Sequence, residues 1–142
     1  MKYEELLLSN QLCFLVYRLE KEINARYRPL LGELGLTYPQ YLVMLVLWEQ
    51  DNLPINSICE RLKLDTGTIS PLLKRLETAK LISRKRSKED ERSVFVKLTK
   101  EGNELCETAK FIPEKLESCI SLTMEEYFAF KKMLEDLLNR MD

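Results

Sequence analysis

The sequence predicts a mainly α-helical fold that carries one small β-wing. Three observations lead there. Apolar residues recur at helical spacing over most of the chain, two short helical segments near the middle are separated by a brief polar turn, and the pattern switches once, just after them, to period-two alternation. At 142 residues and 45% hydrophobic side chains, the chain has the size and apolar content of one domain. It has only four glycines and five prolines, 32% of it is charged, and no stretch is dominated by Ser, Gly or Pro, so it should be folded nearly throughout.

The first element is a helix from about Leu6 to Leu31. Leu8, Leu12, Cys13, Phe14, Leu15, Val16, Tyr17, Leu19, Ile23, Ala25 and Tyr27 cover more than one stripe of it. A helix that is apolar on two faces wants two partners, one in its own domain and one in a second subunit. Thr37 caps a second helix, with Pro39 in its first turn and Tyr41 to Trp48 continuing it until Asp51-Asn52. Pro54 and Ile55 allow a short extended segment. Asn56 or Ser57 then caps a brief helix through Leu62, and Lys63 to Thr66 turns the chain into another that ends near Ala79. Pro71 places the start of that helix at about Thr68, because a start at Asp65 would put the proline where an i→i−4 bond is lost. Leu81-Ile82 and Val94, Val96, Leu98 are strands, joined by the charged run Arg84 to Arg92. Thr99 caps a helix over Lys100 to Glu107, Pro113 interrupts or bends it, and Thr123 with Glu126 forms a capping box for a last helix, Met124 to Met141. Helix, turn, helix and wing together make a winged helix-turn-helix over about residues 54–98.

Composition narrows the function classes. The chain has no histidine and four cysteines, Cys13, Cys59, Cys106 and Cys119, none in a C-x-x-C pair. Ser-His and Cys-His catalysis and the usual zinc ligand sets are thereby removed, so no catalytic residue, metal site or cofactor is expected. Residues 1–10 lack the apolar run of a secretory signal, and Leu42 to Trp48 is far short of the roughly eighteen residues a membrane span needs. A soluble cytoplasmic protein without a membrane partner is expected.

Charge is unevenly spread. The net charge is only −1, yet Lys74 to Lys97 holds nine basic residues against four acidic ones, so that segment is +5 and the remainder −6. Such asymmetry is the footprint of a confined phosphate-binding surface.

The order of these helices around the wing resembles the MarR family over essentially the whole chain. Within that family, Asn10-Gln11-Leu12-Cys13-Phe14, Tyr27-Arg28-Pro29-Leu30, Leu36-Thr37-Tyr38-Pro39-Gln40-Tyr41, Leu64-Asp65-Thr66-Gly67-Thr68 and Pro71-Leu72-Leu73-Lys74-Arg75-Leu76-Glu77 are similar to the organic-hydroperoxide-sensing repressors of the OhrR type. The resemblance implies a single MarR-type domain over residues 1–142. It also implies a homodimer held by helices at about 1–36 and 100–142, bound to double-stranded, pseudo-palindromic operator DNA.

For the DNA contacts, Asp90-Glu91-Arg92 is similar to the family's D-x-R element, which implies Asp90 as a loop-shaping residue and Arg92 as the minor-groove residue. An exposed ion pair worth little is the bland alternative. Arg84, Lys85 and Arg86 suit phosphates. Thr66, Thr68 and Ser70 offer hydroxyls near a helix N-terminus, for bases or phosphates. Lys74 and Arg75 are phosphate contacts or simply a solvated face.

For the sensor, Cys13 alone reads as a small buried hydrophobe. The resemblance instead makes it the peroxide-reactive cysteine, with Tyr27 and Tyr38 as the tyrosines that meet it from the partner subunit. Phenolic hydroxyls aimed at sulfur favour the thiolate, the form that attacks an O–O bond. Cys119 is the possible resolving cysteine, a small thiol being the other route, while Cys59 and Cys106 are core or surface residues. The function implied is a repressor that releases its operator when an organic hydroperoxide oxidises Cys13. The alternatives are release by a small aromatic ligand, or a broader thiol-based global or virulence regulator.

Overall fold

The computed structural model describes residues 2–142; Met1, at the edge of the segment read for a signal and of the expected dimerisation region, lies outside the described residues. Two short 3₁₀ turns, Glu4–Leu6 and Leu8–Asn10, precede α1 (Leu12–Gly32). The helix therefore begins later than its apolar pattern suggests. The Asn10 and Gln11 carboxamides turn back to donate to the carbonyls of Glu4, Glu5 and Leu7 at 2.7–2.9 Å, a local competitor to helix.

Next come α2 (Tyr38–Glu49), β1 (Leu53–Pro54), α3 (Ile55–Leu62), α4 (Thr66–Thr78), β2 (Ile82–Arg86) and β3 (Val94–Leu98). Thr37 caps α2 through a full capping box with Gln40. The cap of α3 is Pro54, two to three residues earlier than Asn56 or Ser57. The α4 boundary also differs from the reading of Pro71. Asp65, not Thr68, is the N-cap, and its carboxylate accepts from the Thr68 amide at 2.7 Å. A cap this well satisfied sets the start, and Pro71 sits inside the helix.

The three strands form an antiparallel sheet in the order β1-β3-β2, with Ile82 opposite Leu98 and Arg84 opposite Val96. The pairing of Leu53 with Val96 through β1 has no strand pattern to announce it, since two residues carry no period. The hairpin loop is shorter than Arg84 to Arg92: Arg84, Lys85 and Arg86 belong to β2.

One core holds this region. Val43, Met44 and Leu47 of α2, Ile58 of α3, Ile69, Leu73 and Leu76 of α4, and Ile82 and Val96 of the sheet are essentially without solvent contact. Gly102, in the short α5 (Lys100–Glu104), is needed by this packing: a Cβ there would stand 2.0 Å from the Leu81 carbonyl oxygen.

The helix expected over Lys100–Glu107 is two, α5 and α6 (Cys106–Ala109), with Leu105 between them. Bonds from Leu105 to Glu101 and from Ala109 to Leu105 run through the break. Pro113 is the second residue of α7 (Ile112–Ile120), so it begins that helix rather than bending one. The chain divides into two compact units at Ile112/Pro113. In the second, α8 (Met124–Met141) starts at the predicted Thr123–Glu126 capping box and buries none of its residues. No helix among the described residues is long and apolar enough to cross a membrane.

Candidate functional site

The basic surface is built by α4 and the wing. Lys74 and Arg75 project from the second half of α4, exposed, and with Pro71 and Thr78 line a shallow groove of about 440 Å³. Thr66 and Thr68 are exposed in its first turn and Ser70 is half-buried. The helix N-terminus itself is not open to a phosphate in the way its dipole alone suggests, because the Asp65 carboxylate already occupies it. The Thr68 hydroxyl, and after it the Thr68 amide, hold that carboxyl below its usual range.

On the wing the basic residues have separate fates. Arg84, expected at a phosphate, is also engaged within the chain: its guanidinium reaches back to Glu77 of α4 at 3.1 Å, and the other Glu77 oxygen accepts from the Arg84 amide at 3.2 Å. It is a brace between α4 and the hairpin. The Arg84 guanidinium in turn holds the Glu77 carboxyl below its ordinary value. Arg86 is tied to the loop through a 2.7 Å bond to the Glu91 carbonyl.

Lys85 is exposed on the opposite face of the sheet, where Ser83 pairs with Lys97 and Lys85 with Phe95. With Lys88, Asn52 and Arg86 these residues line an open groove of about 330 Å³. Lys88 and Lys97 are basic neighbours that a D-x-R motif does not point to; the strand alternation is the signal that finds Lys97.

At the tip, Asp90 shapes the loop. Its Oδ1 accepts from the Arg92 amide at 3.0 Å, and its own amide and that of Glu89 donate to Ser87 Oγ. The Ser87 amide closes the hairpin on the Ser93 carbonyl at 2.8 Å. Asp90 thus bonds the Arg92 backbone, an Asx turn, and among the described residues no carboxylate is ion-paired with the exposed Arg92 guanidinium.

A second cluster lies between α1 and α2. The Tyr27 ring is 4.7 Å from Tyr38 and 5.9 Å from Tyr41, and Tyr41 stands edge-on to Trp48 at 6.4 Å. Burial raises the phenols of Tyr38 and Tyr41, Tyr38 adding to the effect at Tyr41, so both stay protonated donors throughout the physiological range. Tyr41 and Trp48 belong to this ring cluster although sequence reasoning does not single them out; their spacing of seven on one helix is there to read.

All four cysteines are free. Cys13 is exposed on α1 in the single chain, among exposed Leu12, Leu15, Val16 and Tyr17, so it is no part of that chain's own core. Cys119 on α7 is also exposed, and Cys59 and Cys106 are half-buried. Cys59 Sγ lies 4.0 Å from Thr66 Oγ1, inside the helix-turn-helix corner. Among the described residues no group of His, Cys, Asp and Glu is placed to hold a metal ion.

Comparison with known proteins agrees with this architecture. Residues 25–109 match the sequence profile of the SarA/Rot transcriptional regulators. The chain is 44% identical over 140 residues to the organic hydroperoxide resistance transcriptional regulator of Bacillus subtilis strain 168, covering 99% of this chain and 95% of that one. Among solved structures it is similar to reduced AbfR bound to DNA, at 35% identity and a TM-score of 0.82 over 99% of this chain and 96% of that chain. AbfR is a protein of Staphylococcus epidermidis. A MarR variant from E. coli in complex with operator DNA shares the fold with a TM-score of 0.82 at 23% identity, covering 89% of this chain and 93% of that one. The chain belongs to the SarA/Rot family of transcriptional regulators, built on the winged-helix fold that MarR shares, and it is a regulator rather than an enzyme.

Proposed function

We propose that the protein is a homodimeric, cytoplasmic repressor that binds pseudo-palindromic operator DNA when reduced and lets go when an organic hydroperoxide oxidises Cys13. The observation that carries the reading is the placement of thiol and tyrosines. Cys13 and Tyr27 lie fourteen residues apart on α1, nearly on one face but about 21 Å apart along the axis. A chain cannot bring its own Cys13 to its own Tyr27 along that helix. Two copies of α1 crossing antiparallel can bring each Cys13 to the Tyr27–Tyr38 pair of the other copy, and the same crossing buries the exposed apolar side chains around it. Residues 1–36 and 100–142 are the proposed dimerisation region, and residues 54–98 the winged helix-turn-helix that reads DNA. The similarity to a hydroperoxide resistance regulator over nearly the whole chain supports the same assignment.

The chemistry is a two-electron oxidation. The Cys13 thiolate attacks the terminal peroxide oxygen, the S–O bond forms as the O–O bond breaks, and the alkoxide leaves and takes up a proton to become the alcohol. Cys13 becomes a sulfenic acid. A second thiol, that of Cys119 or a small cellular thiol, then attacks its sulfur, forming a disulfide and releasing water. On DNA, Thr66, Thr68, Ser70, Lys74 and Arg75 face the major groove, Lys85 and Arg86 meet phosphates, and Arg92, held out by the Asp90 turn, enters the minor groove.

The test is an operator titration with reduced protein, before and after one equivalent of an organic hydroperoxide, with Cys13→Ser alongside. Wild type should bind and then release while the variant stays bound. Release of the variant as well would sink the reading and leave a ligand-responsive regulator in its place.

A further inference from the structure

The tyrosine cluster and the DNA-reading hairpin are different parts of one unit, and a continuous set of contacts runs between them. Tyr38, Tyr41 and Trp48 form a stripe on α2, because separations of three and seven residues return close to the same face. Tyr41 contacts Tyr27 and Tyr38 at one end and stands edge-on to Trp48 at the other. The Trp48 indole Nε1–H then donates to the Gly102 carbonyl at 2.9 Å.

That carbonyl belongs to a tight backbone junction. The Gly102 amide donates to Thr99 Oγ1 at 3.0 Å, Thr99 Oγ1 donates to the Lys80 carbonyl at 2.6 Å, and the Thr99 amide donates to the Leu81 carbonyl at 3.0 Å. Lys80, at φ 63°, closes α4. Gly102 is pressed so closely on Leu81 that no side chain fits. Here α4 ends, β2 begins, β3 ends and α5 begins, so both strands of the wing are rooted in the group that Trp48 holds.

We propose that Trp48 is the positioning residue that couples the tyrosine cluster to the wing. A change of packing at Tyr27 and Tyr38 passes through the Tyr41 ring to the indole, and through its N–H to the Gly102 junction, re-aiming the hairpin against the recognition helix. Closely packed rings and a part-buried hydrogen bond to backbone give way little, so displacement at one end is carried to the other rather than absorbed. The Asp51 carboxylate also holds the Leu98 amide, at 2.8 Å, but from outside the aromatic stripe, and it serves as an anchor for β3. This coupling rests on the redox reading for its trigger.

Trp48→Phe keeps an apolar ring beside Tyr41 and removes the N–H donor. Wild type and variant are treated with one equivalent of tert-butyl hydroperoxide, and Cys13 oxidation by intact mass is measured beside operator Kd in both states. The variant should oxidise as wild type does, while its ratio of oxidised to reduced Kd falls about fivefold below the wild-type ratio. An unchanged ratio overturns the coupling. A second measurement needs no Trp48 variant: Trp48 is the only tryptophan in the chain, so its fluorescence reports on this contact in the intact protein. Oxidation should shift its emission in wild type and not in Cys13→Ser; operator release with unshifted emission overturns the coupling. A wild type that is oxidised at Cys13 and keeps its operator overturns the redox reading itself, and shows this before any variant is compared.

Discussion

The middle of the chain and its flanking helices spend their apolar residues in opposite ways. In α2, α3, α4 and the sheet, the large aliphatic side chains disappear into one core, and the polar groups at its edges find partners within the chain. In α1 only Leu31 is buried, and α8 buries nothing while exposing Tyr127, Phe128, Phe130, Met133, Leu134, Leu137, Leu138 and Met141. Equal hydrophobicity therefore means different things in the two regions. In this head, α2 through β3, it is solvent contact already removed; in the flanking helices it is surface that the proposed dimer would cover.

Substitutions should separate the two. Leu47→Ala, in the head, removes a side chain with no solvent contact and should cost about 4 kcal/mol, read as a lowered denaturation midpoint at unchanged slope. A cost below about 1 kcal/mol would mean that the head is not the rigid part. Gly102→Ala sets a methyl against backbone and should cost about 2–3 kcal/mol, with Trp48 emission changing because the junction it bonds must shift.

Leu12→Ser with Val16→Ser, on exposed positions of α1, should behave differently. Dimer dissociation in sedimentation equilibrium rises roughly tenfold or more, while the Trp48 environment of the head is kept. Loss of the head fold in that variant would erase the distinction between the regions.

The smallest effect belongs to the brace between α4 and the wing. Because Arg84 lowers the folded Glu77 carboxyl below its ordinary 4.5, the contribution is present above that value and is lost as the pH falls through the lowered one. Glu77 and Arg84 are both partly exposed, so Glu77→Gln should cost only about 0.5 kcal/mol at neutral pH and flatten that part of the acid limb.

Much of this is legible in the residues. Capping boxes at Thr37 and Thr123 mark two helix starts because side chain and backbone satisfy each other locally. Alternation of Val94, Val96 and Leu98 marks a strand whose one face is core. The features that escape such a reading depend on neighbours distant in sequence or on competition between local choices. The start of α4 turns on Asp65 outcompeting Thr68 as cap despite Pro71. Arg84 looks like one more cation in a basic run until Glu77, seven residues earlier on another element, is found paired with it. Trp48 reads only as the end of an apolar run on a helix, and its bond to Gly102 spans fifty-four residues that no local pattern connects.

The central claim is that the oxidation state of Cys13 decides whether the operator is held. The most direct measurement follows a single titration with organic hydroperoxide, reading operator occupancy and the fraction of protein whose Cys13 thiol has been consumed, as sulfenic acid or as disulfide, in the same samples. The account predicts that occupancy falls in proportion to that fraction, and that Cys13→Ser stays bound at every hydroperoxide concentration. Release that runs ahead of oxidation, or full oxidation of Cys13 on a protein still seated on its operator, would contradict it.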